Sequence, residues 1–397
     1  MNKKNIVWTL LLTGSHSMVN AAENLLPGAE DILLTGFTEL TYESGDNLVE
    51  DSYRGKLNPV LLVNLSETLF FESEFEISFN DEGDIEKEVE YANIYYFLND
   101  SWTIRAGQFL LPFGQFSLNI HPSWINRSPW TPGVYGSHDS SQSMTALLPV
   151  MSDKGFSVQK TYVFSQGSKL TFDAYVTYGA RSEIDQHDEE AVIDDHDLEE
   201  LEEDLHEEGE DEGDAIADSE DGHALDIPEI IFETRGGDNN NDRALGGRVA
   251  YAFLPGIEIG ASFYKATYDD AKALDFKAKG LDINLLAKHF LLRGEYIDTE
   301  VEGWVEENEL IEINNFKRDG WYLQGTWHLG QLGSVFDKTE LVMERSKVSN
   351  FEVSDRWMYG LNYWFDGRSV VKMAYEETNL NDGRKDNRFA IQVSYGF

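Results

Sequence analysis

The chain has 397 residues, no Cys, 13% aromatic residues and a formal net charge of −42, from 31 Lys and Arg against 73 Asp and Glu. Without Cys there is no disulfide and no thiolate metal site, a chain this acidic lacks the phosphate-neutralising charge that a nucleic-acid partner needs, and beyond the N-terminus no segment is long and apolar enough to be a membrane helix. The weight in Tyr (18), Phe (23) and Trp (9) points instead to a transmembrane β-barrel, whose two rims are girdled by such side chains.

In chain order, Met1 to Lys4 is short and basic, Ile6 to Leu12 is apolar, and Val19-Asn20-Ala21-Ala22 supplies small residues for cleavage. That is the pattern of a secretory signal peptide; an anchor helix would need roughly 20 apolar residues. Residues 1–22 are therefore expected to leave on export, and 23–397 to form a single domain in the outer membrane of a Gram-negative bacterium.

Strict alternation dominates the remainder of the chain. Leu69, Phe71, Phe75, Ile77 and Phe79 share one parity while Glu72, Glu74 and Glu76 share the other, and the chain ends Phe389-Ala-Ile391-Gln-Val393-Ser-Tyr395-Gly-Phe397. Successive side chains of a strand point to opposite faces, so each such segment has one apolar and one polar face. Strands are expected near 32–43, 54–66, 68–80, 88–99, 101–109, 155–165, 169–180 and 244–254. Eight more are expected near 256–267, 276–287, 288–298, 318–330, 338–347, 356–366, 369–378 and 387–397. The pair around Ala287-Lys288-His289 is the least clearly separated.

The connections separate a barrel from a sandwich. Those after even-numbered strands are short, among them "ND", "PG" and "DGRS", while those after odd-numbered strands are generally longer and reach 110–154 and 181–243. Alternating tight periplasmic turns and long external loops, with an even strand count, describe an outer-membrane barrel. The fold class is thus all-β: a transmembrane antiparallel β-barrel of 16 strands. At that size side chains no longer fill the interior and an aqueous channel remains.

Arg105-Ala-Gly107-Gln108-Phe109-Leu-Leu-Pro112-Phe113-Gly114-Gln115, followed by Asn126-Arg127-Ser128-Pro129, resembles the signature of the phosphate-selective porin family. The resemblance implies a water-filled channel, a homotrimer, and a third external loop, here 110–154, that folds back into the pore. One departure is Asn126, where an acidic residue would be expected before the Arg-Ser pair. Read from the residues alone, Gly107, Pro112 and Gly114 also suit a sharp exit from a strand.

Taking the polar parity as lumenal, the inward bases are Lys56, Arg105, Arg248, Arg293, Lys372 and Arg388. The inward acids are Glu72, Glu74, Glu76, Asp173, Glu258, Asp282, Glu295, Glu340, Glu344 and Glu376. Oxyanion binding needs a file of Arg and Lys, whereas this lumen is mixed and acidic on balance. Small hydrophilic, cationic solutes are the expected cargo, with anions or phosphate as the alternative. Lys160 breaks the pattern, because its parity places it with Phe156, Val158 and Tyr162 on the lipid side; a bulge or a subunit interface would account for it.

From Ser182 to Thr234 the chain carries 25 Asp and Glu and no Lys or Arg, so this stretch supplies 25 of the 42 net negative charges. Such density of like charge is expected to stay solvated and unfolded, as a fixed negative field at a channel mouth. His187, His196, His206 and His223 lie within it, and imidazole with carboxylate suits divalent metals, although the spacing forms no compact chelate. No cofactor is expected beyond weak divalent-cation binding there. Catalysis is not expected: His289 and His328 lie on predicted strands, but no Ser or Asp is placed to complete a dyad. A surface receptor or adhesin that works through its loops is the remaining alternative.

Overall fold

The computed structural model describes residues 31–45, 52–81, 83–135, 147–148, 151–164, 167–179, 241–269, 274–303, 315–349, 353–380, 383 and 385–397. They form sixteen antiparallel strands in one closed barrel. In order these are β1 (Ile32–Gly45), β2 (Ser52–Asn64), β3 (Leu69–Asn80), β4 (Ile85–Asn99), β5 (Trp102–Leu110), β6 (Ser152–Val163), β7 (Lys169–Thr177) and β8 (Ala244–Leu254). Then come β9 (Ile257–Thr267), β10 (Asp275–Ala287), β11 (Phe290–Val301), β12 (Phe316–His328), β13 (Thr339–Ser349), β14 (Val353–Trp364), β15 (Ser369–Leu380) and β16 (Lys385–Gly396). All sixteen expected strands are present with shifted ends. β10 and β11 are parted by the two-residue turn Lys288-His289.

Each strand pairs with its sequence neighbours, and β1 closes the circle on β16 from Phe37 opposite Gly396 to Gly45 opposite Arg388. The terminal residue seals the seam: Phe397 N–H donates to the Gly36 carbonyl at 2.9 Å and Gly36 N–H returns to the Phe397 carbonyl at 3.2 Å. Closure leaves no strand edge unpaired, which a lipid environment demands because nothing there can satisfy a bare backbone amide.

The outer surface is apolar, with Leu40, Phe75, Phe156, Leu281, Tyr359 and Val393 exposed on it. At the short-turn rim it becomes aromatic, with Tyr251 against Phe253, Tyr363 against Phe365, and Tyr395 against Phe397. Lys160 sits in this girdle. The β5–β6 and β6–β7 registers run through it without a bulge, so the first of the two explanations, a bulge, does not apply. Its ammonium instead reaches to the turn, donating to Ser101 Oγ at 2.7 Å and lying 4.7 Å from the Trp102 ring centre. A long amphipathic side chain at the rim keeps its charge out of the hydrocarbon in this way.

Candidate functional site: a lumen divided by the third loop

The motif residues shape how the chain leaves β5. Gly107 has φ +124°, and a Cβ there would lie 2.4 Å from the Ala92 carbonyl oxygen; only glycine fits that approach. Gln108 spans three strands, its Nε2 donating to the Val89 carbonyl at 2.8 Å and towards Ser152 Oγ at 3.4 Å. After Pro112, the Phe113 ring lies over Gly280 of β10. Gly114, with φ +65°, then brings the backbone so close to β11 that a Cβ would fall 2.1 Å from a Glu295 oxygen. The expected role in a sharp exit is therefore what the geometry shows, and Gly114 adds a docking role.

Glu295 is the anchor of the loop. Its carboxylate accepts Gln115 N–H at 3.1 Å, Phe116 N–H at 2.7 Å and the Tyr322 hydroxyl at 3.0 Å, and also the hydroxyl of Tyr135 further along the loop. Gly114 N–H donates to Ser262 Oγ at 3.1 Å. Around this point, Phe113, Phe116, Ile120, Val134, Tyr135, Leu147 and Leu148 of the loop share one buried cluster with Tyr264, Phe276, Ile297, Val301 and Val348 of the wall. Each large apolar side chain so buried contributes roughly 1.5–3 kcal/mol. The loop thus folds into the barrel for the reason any core forms. The wall had signalled this, since Phe276, Ile297 and Val301 occupy inward positions where a water-filled lumen would place polar residues.

A single π-helical turn, Phe116–Ile120, carries the chain across the lumen. Beyond it the loop is bound to the wall strand by strand. Arg127 pairs with Glu340 at 3.0 Å and lies 4.7 Å from the Trp364 ring. Asn362 donates to the Arg127 carbonyl at 2.9 Å, and Lys372 donates to the carbonyls of Ser123 and Ser128 and, at 2.7 Å, to Gln392 Oε1. Arg356 donates to the Thr131 carbonyl at 2.9 Å, and the Trp130 indole donates to Glu43. Asn126, the departure from the family pattern, accepts Ser128 N–H at 3.2 Å and donates to the Trp130 carbonyl at 3.0 Å. An ionised carboxylate could make only the first of these.

Behind this segment lies a belt of alternating charge across adjacent strands. Arg54 pairs with Glu43 at 3.0 Å, Glu43 with Arg388 at 3.3 Å, and Arg388 with Glu376 at 2.8 Å. Glu376 then pairs with Arg356 at 3.2 Å, Arg356 with Glu344 at 3.4 Å, and Glu344 accepts from Gln324 at 2.9 Å. Arg54, Arg356 and Glu43 were absent from the residues expected inside, because they stand at strand ends where parity is hardest to assign. From Glu43 to Gln324 the belt is buried, the Arg388 and Glu376 side chains being 3% and 1% exposed, while Arg54 at its end is partly exposed.

The opposite wall, β2 to β7, is different. Lys56 pairs with Glu76 at 2.9 Å with both side chains about a quarter exposed, at 23% and 25%. Glu72, Arg105 and Asp173 are also only partly buried. Glu72 accepts the Tyr95 hydroxyl at 2.6 Å, and the Arg105 guanidinium donates to Ser157 and lies 4.3 Å from the Phe109 ring. Glu74 is buried, holding Asn58 Nδ2 at 3.0 Å. From the loop side His121 looks onto this wall near Glu76. Its Nδ1–H donates to the Ser117 carbonyl at 2.7 Å and its Nε2 finds no partner among the described residues. Burial pushes the ring's pKa down to about 4 against a smaller opposing pull from the Ser117 carbonyl and Glu76.

The nine residues expected to line the pore divide. Lys56, Glu72, Glu76 and Arg105 are partly exposed, and Glu74 is buried. Lys372 and Arg388 lie beneath the loop, and Arg248 is buried in ion pairs with Asp282 at 2.6 Å and Glu258 at 3.0 Å. Arg293 is partly exposed and reaches the Ile125 carbonyl at 3.4 Å. Of the motif, Gly107, Gln108, Pro112, Phe113, Gly114 and Arg127 position the loop. His187, His196, His206 and His223 fall outside the described residues. Among the described residues no group of His, Asp and Glu is arranged to hold a metal ion.

A family model described as phosphate-selective porin O and P matches residues 55–131, from β2 into the third external loop. Among curated proteins none matches. The barrel is similar to that of an anion-selective porin from Comamonas acidovorans, 11% identical over 92% of this chain and 99% of that one, with a TM-score of 0.54. It is equally similar to Salmonella typhi OmpF, in a complex with daunomycin, at 13% identity over 92% and 97% of the two chains and a TM-score of 0.54. The outer membrane channel DcaP of Acinetobacter baumannii gives 11% identity over 92% and 97% and a TM-score of 0.50. Identities this low speak for the fold, while the family match covers the motif whose geometry seats the loop. The chain is a closed sixteen-stranded antiparallel barrel, similar in fold to outer-membrane porins, whose residues 55–131 match the model of the phosphate-selective porin O and P family from the second strand into the third external loop.

Proposed function

We propose that the protein is a diffusion channel for small hydrophilic solutes that favours cations over anions. The observation that supports this is the split of the lumen. Of the six basic residues expected inside, Arg388 and Arg248 are held in buried ion pairs and Lys372 by loop carbonyls, and Arg356, which was not among them, is buried in ion pairs as well. What remains partly exposed runs along a wall bearing Glu72, Glu76 and Asp173 against Lys56 and Arg105, with Glu74 buried behind them. A low-dielectric cleft lined by one sign of charge concentrates ions of the other. The acidic stretch 182–234 would add its field at the mouth, within a screening length of about 8–10 Å at physiological salt.

Phosphate or general anion selectivity is the second reading, favoured by the family whose signature the chain carries. The reversal potential of the purified protein in a planar bilayer under a KCl gradient separates the two. A cation-selective potential that weakens when 182–234 is deleted supports the proposal; anion selectivity in both forms favours the second reading. A folded protein without conductance would put a surface receptor first and leave enzymatic roles open again. The homotrimer rests on the family resemblance and is tested by cross-linking in membranes; removal of 1–22 is tested by N-terminal sequencing of the exported protein.

A further inference from the structure

Under the π-helical turn, at the short-turn rim of the barrel, lies a cavity of about 360 Å³ roofed by Gln115 and Asn119 and floored by the β8–β9 turn. Its volume lies within the roughly 300–1,000 Å³ of small-molecule sites. One row of cross-strand partners crosses its wall: Lys169 opposite Ala252, Ala252 opposite Glu258, Glu258 opposite Asn284, and Asn284 opposite Arg293. The charges along that row run positive, negative, positive, with a neutral residue between each.

Each charge keeps unused capacity. Arg293 makes one long hydrogen bond, to the Ile125 carbonyl at 3.4 Å, and its Nε has no partner among the described residues. Neither Arg293 nor Lys169 enters an ion pair among the described residues. Arg248 and Gln115 both approach Glu258 through Oε1, at 3.0 and 3.3 Å, which leaves Oε2 for a ligand. Neighbouring strands lie roughly 4.8 Å apart, so Glu258 and Arg293 stand about two spacings from each other. They face one cavity without bridging it themselves.

We propose that this cavity is a binding subsite for an amino dicarboxylate, a solute whose charges run negative, positive, negative and so complement the row. The ammonium meets Glu258 Oε2, one carboxylate meets Arg293 with Asn284 beside it, and the other meets Lys169. Charge-assisted hydrogen bonds of this kind are the strong ones, and a guanidinium can take a carboxylate in bidentate fashion. The subsite deepens the channel reading, since it places a recognition step on the path of a permeating solute.

The test is binding of L-glutamate to the purified full chain, read by saturation-transfer NMR and compared with glutarate, which lacks the ammonium, and 4-aminobutyrate, which lacks one carboxylate. L-glutamate is expected to half-saturate at a concentration at least ~10-fold lower than either analogue, a difference of about 1.4 kcal/mol. Glu258→Gln is expected to bring L-glutamate to the level of glutarate, and Lys169→Gln to that of 4-aminobutyrate. If wild-type protein binds glutarate as well as L-glutamate, or binds none of the three, the subsite is overturned even if both variants fail to fold. KCl conductance is measured separately: its absence counts against the channel reading, whereas conduction without the binding preference counts against the subsite alone.

Discussion

The two sides of the lumen are built from the same alternating strands and end in opposite states. From β13 to β16 and on β1, Glu344, Arg356, Glu376, Arg388 and Glu43 are matched in ion pairs beside the third loop and withdrawn from water. Along β2 to β7, Lys56, Glu72, Glu76, Arg105 and Asp173 stay partly exposed, three acids against two bases. The difference teaches that a charge pointing into a barrel is not thereby a pore charge. Burying an ion costs several kcal/mol unless it is paired and hydrogen-bonded, and the belt from Arg54 to Gln324 meets that condition under Trp130 and Thr131. The open wall has no such cover, so its net charge can act on a passing ion.

The largest break in this contrast is expected from Glu295→Leu. It removes the acceptor shared by two loop amides and two tyrosine hydroxyls. Leaving such donors buried and unpaired costs on the order of 3 kcal/mol. The loop should unseat, with higher and noisier single-channel conductance and a lower thermal midpoint by circular dichroism. Gly114→Ala should act in the same direction but less strongly, at about 1–3 kcal/mol for a strained backbone, because its methyl group would meet the Glu295 carboxylate.

A smaller change is expected when Glu72, Glu74 and Glu76 are all replaced by Gln. The barrel should persist, and the reversal potential under a KCl gradient should move toward zero. Glu344→Gln and Glu376→Gln together remove two acids from the covered side, and should lower stability while moving that potential far less. Equal shifts from both sets would erase the distinction between the walls.

The smallest effect concerns His121, whose pKa in the folded protein is lowered to about 4 from an ordinary 6.5. The unfolded chain therefore binds the proton more tightly. The contribution of His121 to stability is complete above about pH 6.5 and is lost as pH falls from there toward 4. His121→Gln should flatten the fall in thermal midpoint between pH 7 and pH 4.5 relative to the wild type. Between pH 8 and pH 7 the ring stays neutral, so the variant and the wild type should show the same small change in ion selectivity.

Most of the barrel was legible because period-two alternation is a local property that needs no knowledge of distant partners. All sixteen strands and the inward side of Lys56, Glu72, Arg248 and Arg388 can be read from it. What alternation cannot report is which inward residues a loop will cover. Phe116 and Glu295 are 179 positions apart in the chain, and neither residue type announces the other. The apolar inward positions of β10 and β11, Phe276, Ile297 and Val301, were the available sign that part of the lumen is core. Lys160 shows the converse, since its parity was right and only its reach to the turn was missing.

The absence of Cys from the chain allows the division of the lumen to be probed directly. Single substitutions Glu72→Cys on the open wall and Gln392→Cys beneath the loop are to be treated with a small, charged, membrane-impermeant thiol reagent while the current is recorded. The account predicts that Glu72→Cys is modified quickly with a drop in conductance. Gln392, 1% exposed, is predicted to be modified about 100-fold more slowly as Cys, because reaction must await a local opening of roughly 3 kcal/mol. Comparable rates at the two positions would contradict it, since the loop would then not separate a sealed side from an open one.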